Sequence, residues 1–564
     1  MSLPKTQYAV QLVGPGKLAL NREKAVAAPG PHQILAKVEC VGLCFSDLKL
    51  LKQFDQHPRK SEVVKGLSAQ ELAEIPSYVP GGKPTVPGHE VTCRIVAVGH
   101  AVKQHRVGER VLVQTDYRDL PTAGSASAFG YNFEGALQEY VLMDERVVVD
   151  KKGERFLIPV PEDRSASAVA LVEPWACVED SYATFERQTV KAGGKMLLVA
   201  APGHQMVGME KALAGGKPAS LTAVVAEAQQ QAALQKLGVA HFECRIADFA
   251  AVNSTYPLPD EGFDDIVYFG ADQATIEVLN DKLATRGIMN VVLGGLRIGA
   301  PVKVGVGRVH YGLTRWIGTP GNDASESYSR IPLTGELRAG DRMLVIGAGG
   351  PMGQMHVIRA VCAGLKDLKV TGTDMDDARI SALMQKVEPL AQANQVAVRM
   401  VNTGKEKLAE RFSYFAIMAP VGALVAQAVQ DALPGALINI FAGIPAGTKH
   451  ELDLDTYLSR GCYMFGTSGS TIRDMKIVLE KVKSGRLDTN VSVDAVSGMA
   501  GAAEGIAAVE NRTLAGKIIV YPQLHELGLT PLAELPRKYP TVAAKLEGGK
   551  WCKAAEAELL RVGQ

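Results

Sequence analysis

The chain has 564 residues, 61 Lys and Arg against 60 Asp and Glu, and a hydrophobic share of 47%. That length exceeds one core and points to roughly three or four domains. The balanced charge excludes a net field that would draw in nucleic acid or an anionic membrane, so neither is expected as a partner.

Eight cysteines (Cys40, Cys44, Cys93, Cys177, Cys244, Cys362, Cys462, Cys552) are scattered without paired spacing, which suits a reducing compartment. The start, MSLPKTQYAV, lacks the apolar core of a signal peptide, and no stretch approaches the roughly 18 apolar residues of a membrane span. The expectation is a cytoplasmic protein.

From Tyr8 to Asp150 short alternating runs (YAVQLV, ILAKVECVG, VTCRIVAVG, ERVLVQ, GALQEYVLM) broken by Gly and Pro predict a β-rich, barrel-like domain. Two of its turns carry chemistry-capable side chains. They are VGLCFSDL, with Cys44, Ser46 and Asp47, and VPGHEV, with His89 and Glu90. A lone Cys or His is more often a packed core residue than a ligand, but placement on a loop shifts that balance.

A helical stretch is predicted from Ser165 to Lys191, followed by KMLLVA, LTAVVAE, FDDIVYFGAD and GIMNVVLGG, a strand–helix alternation of Rossmann type. The polar segment from Asn322 to Gly340 reads as a linker. After it, Met343 to Ile346 has strand length, Gly347, Gly349, Gly350 and Gly353 form a turn, and Met355 to Cys362 has helical spacing. Asp374 ends the next predicted strand. This is how a dinucleotide site starts: glycines admit a pyrophosphate, the helix N-terminus attracts it, and the acid takes the ribose hydroxyls. An acid there, with no Arg directly beside it, favours NAD over NADP.

Gly295 and Gly443, Gly318 and Gly466, Thr319 and Thr467, and Gly321 and Gly469 each stand 148 residues apart, which predicts an internal duplication of a whole nucleotide-binding domain. The first copy has Ala201-Pro202-Gly203-His204 where the second has its glycines, and Pro202 removes a backbone donor. The first copy is therefore expected to be structural. A tail of about forty residues follows Tyr521, with WCKAAEAELLRV as a packing helix.

The segments GLCFSDL, PGHEVTCRIVAVG with VGERV, GALQEYV and LVEPWACVEDSY resemble the zinc-dependent medium-chain alcohol and polyol dehydrogenases, the sorbitol dehydrogenase branch in particular. The resemblance implies an α/β chain: a GroES-like β-rich catalytic domain (residues 1–180, with a return at 471–523), two tandem Rossmann-like doubly wound parallel sheets (181–321, degenerate, and 322–470, binding NAD), and a helical tail (524–564). It implies one catalytic zinc on Cys44, His89 and Glu173, with Glu90 beside it or as an alternate ligand, and Ser46 as proton relay.

It also places Gly347, Gly349, Gly350, Pro351, Met352, Gly353 and Asp374 on the cofactor, with Phe441, Ala442, Gly443, Thr467, Ser468 and Gly469 near its nicotinamide half. Three departures stand out. No cysteines lie between Arg110 and Tyr140 for a second, structural zinc, Phe45 replaces a usual Gly, and Lys49 replaces a frequent relay His. The LVEPWACVE, GAGGPMGQMH, IFAG and FGTSG segments are similar to sorbose-1-phosphate reductase-like members. The implied function is NAD-dependent interconversion of a secondary alcohol and a ketone on a polyol, sugar or sugar phosphate. Two alternatives remain: a lyase or epimerase using transient oxidation at the same site, and a non-catalytic binding protein.

In the resembled family two subunits join sheets through an edge strand. The segments Thr314–Thr319 and Cys462–Thr467 are expected to pair within one chain, giving an intramolecular pseudo-dimer. Homo-oligomerisation through other surfaces is compatible with this.

Overall fold

Residues 3–255 and 257–563 are described by a computed structural model of the chain. The chain divides into two units, Met1–Glu179 with Gly469–Gln564, and Asp180–Ser468. The architecture is mixed α/β, a GroES-like β-rich unit and Rossmann-like parallel sheets.

In the first unit the strand Gln33–Gly42 is central. It pairs antiparallel with Glu90–Val98, Tyr140–Asp144 and Lys517–Val520. Only two of its ten residues, Lys37 and Glu39, are not buried, which is the pattern of a strand covered on both faces. The sheet continues through Arg110–Val113 to Leu157–Pro159 on one side, and through Val493–Ser497 to Thr530–Pro531 on the other. The return and part of the tail therefore complete a sheet begun at the N-terminus. The helix Lys553–Val562 is anchored by Glu556, whose carboxylate accepts from Ala166 N (2.6 Å), Ser167 N (2.9 Å) and Tyr521 OH (2.9 Å).

The second unit holds one sheet of twelve strands: β1 (Lys195–Ala200), β2 (Ser220–Val225), β3 (His241–Ile246), β4 (Phe263–Phe269), β5 (Leu283–Val292), β6 (Arg315–Thr319), β7 (Arg342–Ile346), β8 (Lys369–Asp374), β9 (Ala397–Asn402), β10 (Phe412–Ile417), β11 (Ala432–Ile440) and β12 (Tyr463–Phe465). Their spatial order is 3-2-1-4-5-6-12-11-10-7-8-9, so the two halves have the same order read outward from the middle. Every pairing inside a half is parallel. Inner strands such as β1 are continuous apolar runs, whereas the outer strands β3 and β9 alternate, as strands with one wet face must. The strands Val302–Val304 and His450–Leu452, and the helices starting at Val306 and Leu454, stand 148 residues apart (302 to 450, 306 to 454).

The expected seam is present but shorter than the predicted segments. β6 meets β12 antiparallel at Trp316 and Met464, and Val302–Val304 crosses to pair with His450–Leu452. Tyr457 OH donates to Trp316 O (2.7 Å) and accepts from Met464 N (2.9 Å), supplying hydrogen bonds that so short a ladder lacks. Arg315 and Tyr463, one from each half, converge on the buried Glu186 carboxylate at 2.7 and 2.6 Å.

Two sequence expectations need correction. The segment 322–340 is not only a linker: Asp323 caps a helix Ala324–Ser329 whose Tyr328 is buried and bonds Asp265 (3.1 Å). The helical stretch from Ser165 ends early, as helices Ala166–Ala170 and Val172–Ala183, with no helix from 184 to 194. Among the described residues no helix is long and apolar enough to cross a membrane.

Candidate functional site

Register builds the first site. Gly42 pairs with Glu90, so Cys44, two residues beyond the end of one strand, comes beside His89 at the start of the other. One ligand atom from each of Cys44, His89 and Glu90 lies within 4.8 Å of the others. Cys44 also caps the helix Phe45–Gln53, and Asp47 on its first turn accepts from Cys44 N (2.9 Å) and Gly88 N (3.1 Å), tying both ligand-bearing loops together. Asp47 lies 3.2 Å from His89 Nδ1. Burial opposes both charges, but each overrides it for the other, holding Asp47 below and His89 well above its ordinary range.

Glu90 is fully buried and ion-paired to Lys517 (2.5 Å). Its other oxygen, Oε2, is buried with no hydrogen-bond partner among the described residues. A Cβ on Gly42 would come within 2.2 Å of that oxygen, so glycine is what admits the carboxylate. Glu173 stands outside the group of three. It is 7% exposed, and Cys177 Sγ makes a weak contact to it at 3.9 Å. Burial pushes its carboxyl up to about 7, with His89 pulling the other way. A thiol, an imidazole and buried carboxylates, one with an orphaned oxygen, fit a zinc ion chemically. Ser46 Oγ is 3.7 Å from Cys44 Sγ.

The second candidate site lies in the other unit. After β7 the chain turns through Gly347 (φ 83°) and enters the helix Pro351–Val361, which has no side-chain cap at Gly350. A Cβ on Gly353 would meet Gly347 O at 2.2 Å, so only glycine lets the helix start this close to the strand. Asp374 ends β8, and its carboxylate accepts from Gly349 N (2.9 Å), Met375 N (2.8 Å) and Asp376 N (3.2 Å). Uncapped N–H groups next to a carboxylate on the following strand suit a dinucleotide. Arg379, not flagged by the sequence, lies near this turn, but its guanidinium is 3.7 Å from Asp376.

Residues 30–153 match the alcohol dehydrogenase GroES-like domain. The curated proteins the chain is similar to include zinc-type alcohol, sorbitol and xylulose dehydrogenases. The uncharacterized protein YggP of Escherichia coli K12 is 26% identical over 284 residues, 45% of this chain and 64% of its own length, short of two thirds. A mannitol-1-phosphate 5-dehydrogenase of Aliivibrio fischeri is 25% identical over 306 residues, 49% of this chain and 69% of that protein. A putative alcohol dehydrogenase of Sinorhizobium meliloti 1021 shares the fold, with a TM-score of 0.50, 14% identity, and coverage of 92% of this chain and all of that one.

Phe441 is half-buried, Ala442 buried and Gly443 exposed at the end of β11; Thr467 is buried and its hydroxyl has no hydrogen-bond partner among the described residues, Ser468 is exposed, and Gly469 begins the other unit's second segment. Pro351 is exposed and Met352 half-buried on the first turn of the uncapped helix. In the first half the turn after β1 leads only to a four-residue helix, Met209–Ala212, yet Glu227 bonds Gly203 N (2.9 Å) much as Asp374 bonds Gly349 N. Lys517, which reaches Glu90 from far along the chain, and Tyr131, whose ring lies 5.8 Å from that of His89, escaped the sequence reading because nothing local marks them.

Proposed function

We propose that the protein is a zinc- and NAD-dependent oxidoreductase that interconverts a secondary alcohol and a ketone on a polyol, sugar or sugar phosphate. The observation that carries this is the Cys44–His89–Glu90 cluster with the uncompensated buried carboxyl of Glu173. Glu90 already has Lys517, so Glu173 is the carboxylate that calls for a cation, and Cys44, His89 and Glu173 would hold the ion. Bound zinc would supply Lewis acidity toward the substrate oxygen, and NAD would accept the hydride.

The chain's own residues do the rest. Asp47 orients the His89 ring and fixes which nitrogen faces the cluster. Ser46 takes the substrate hydroxyl proton and passes it outward. Gly349, Gly350 and the helix start at Pro351 hold the pyrophosphate, and Asp374 the adenosine ribose, where its charge opposes a 2′-phosphate. We read the two halves of the long sheet as a duplication and as a pseudo-dimer in which only the second half binds nucleotide. The truncated helix after β1 supports that reading.

The test is NADH production from a polyol and sugar-alcohol panel by metal-analysed protein. Turnover that disappears in Cys44→Ser supports the reading. Zinc-loaded protein that forms no NADH, yet eliminates or epimerises a sugar, would replace it by the transient-oxidation chemistry, and absence of any turnover by the binding-protein reading.

A further inference from the structure

The seam of the long sheet decides which half meets which ligand face. β6 pairs antiparallel with β12 at Trp316 and Met464, so the start of β6 stands at the end of the sheet where β7, β10, β11 and β12 finish. Those are the carboxyl ends of the second half's strands, outside which open α/β sheets take their ligands. The helix Val306–Tyr311, which precedes β6, therefore lands on the ligand face of the other half. Gly307 N donates to Thr448 O (3.2 Å), and a Cβ on Gly307 would meet Pro445 O at 2.0 Å.

The counterpart helix Leu454–Ser459 lands on the first half in the same way, where Asp455 accepts from Ile298 N (3.0 Å) and Gly299 N (2.9 Å). Placement is mutual, but the chemistry is not. At the tip of Val306–Tyr311 the Tyr311 hydroxyl lies against Gly443, where a Cβ would come within 2.7 Å of it. The His310 ring meets the Tyr311 ring edge-on at 4.7 Å and lies 6.3 Å from that of Phe441, which fixes the direction of the phenol. Tyr311 is 42% exposed, and its hydroxyl makes no hydrogen bond among the described residues. The residues 148 further on are Leu458 and Ser459, and a Cβ on Gly295, the counterpart of Gly443, would meet nothing within 4 Å. The half with the glycine-poor turn thus gives a polar aromatic, and the half with the glycine turn gives in return a side chain that does not reach.

We propose that the Tyr311 hydroxyl hydrogen-bonds the nicotinamide carboxamide of the dinucleotide held by the second half, so that the first half completes its neighbour's site instead of keeping one of its own. This rests on the reading of the second half as the NAD site. With the pyrophosphate at the turn after β7 and the adenosine ribose at Asp374 on β8, the rest of the cofactor runs the other way, across β10 and β11 to Phe441–Gly443. A phenol hydroxyl both donates and accepts, which suits the oxygen and the N–H groups of a neutral amide.

Calorimetric titration of the zinc-loaded full chain with NADH and with ADP-ribose, which lacks the nicotinamide, tests this. Tyr311→Phe should weaken NADH binding about threefold to tenfold, the net loss of one hydrogen bond, and leave ADP-ribose binding unchanged. Ser459→Ala, at the counterpart position, should alter neither. NADH affinity unchanged in Tyr311→Phe, or an equal weakening of ADP-ribose, would overturn the inference and leave the NAD reading standing. A native chain that binds no NADH rejects the NAD reading and the inference with it.

Discussion

At the residue scale the deciding contrast is between two buried glutamates, Glu90 within the cluster of three and Glu173 outside it. Glu90 is neutralised by Lys517, whose ammonium is held above its usual range because Glu90 outweighs burial. Glu173 makes no ion pair among the described residues, and burial outweighs the pull of His89 and Lys517 on its carboxyl. Glu173→Gln should therefore strip zinc from chelator-washed protein, while Glu90→Gln should retain most of it and instead destabilise the fold by leaving Lys517 buried and unpaired. Metal analysis of both variants is the check; zinc lost from Glu90→Gln and kept by Glu173→Gln would reverse the ligand assignment. Cys44, His89 and Asp374 were legible in the sequence because each sits in a short motif whose spacing carries chemistry. Lys517 was not, since it reaches Glu90 across 427 residues and its signal is a strand register rather than a motif.

At the scale of elements, the C-terminal helix is part of the GroES-like unit's scaffold. Glu556 ties that helix to the start of helix Ala166–Ala170 by two charge-assisted hydrogen bonds, so Glu556→Gln should cost about 1–3 kcal/mol of stability in denaturant unfolding of the full chain. A loss within error would leave the tail without this role. The amphipathic run was readable as a helix, but its anchor was not, because an acid on a helix carries no mark of its partner.

The helix Pro351–Val361 has its own titratable lock. His356 is fully buried, 2.7 Å from Tyr182 OH, and burial, followed by the Arg359 charge, lowers it to about 3. The unfolded chain takes up this proton near the ordinary value of about 6.5. The stability given by the neutral ring is thus complete above that pH and is lost as pH falls toward 3, on the order of a few kcal/mol. Denaturant midpoints should fall more steeply between pH 6.5 and 4 for the native chain than for His356→Gln. Parallel slopes would contradict this.

On the scale of the whole molecule, the twelve-stranded sheet follows from period and offset. The 148-residue spacing showed in the sequence because glycines at strand ends are constrained by close backbone approach, as at Gly318, where a Cβ would meet Val291 O at 2.2 Å. The seam itself was reasoned from edge-strand physics, but its details were hidden: Tyr457 and the Arg315–Glu186–Tyr463 cluster replace most of a strand ladder. The helix at 324–329 was misread because a polar run such as DASESYS looks like a linker unless its Asp cap is noticed.

The proposed function requires one catalytic centre per chain, served by one of the two nucleotide-fold halves. Fluorescence titration of zinc-loaded protein with NADH is the decisive measurement. One NADH per chain is expected, with affinity reduced about tenfold or more by Asp374→Ala and unaltered by Glu227→Ala. Two equivalents per chain, or a loss on changing Glu227 and none on changing Asp374, would contradict it.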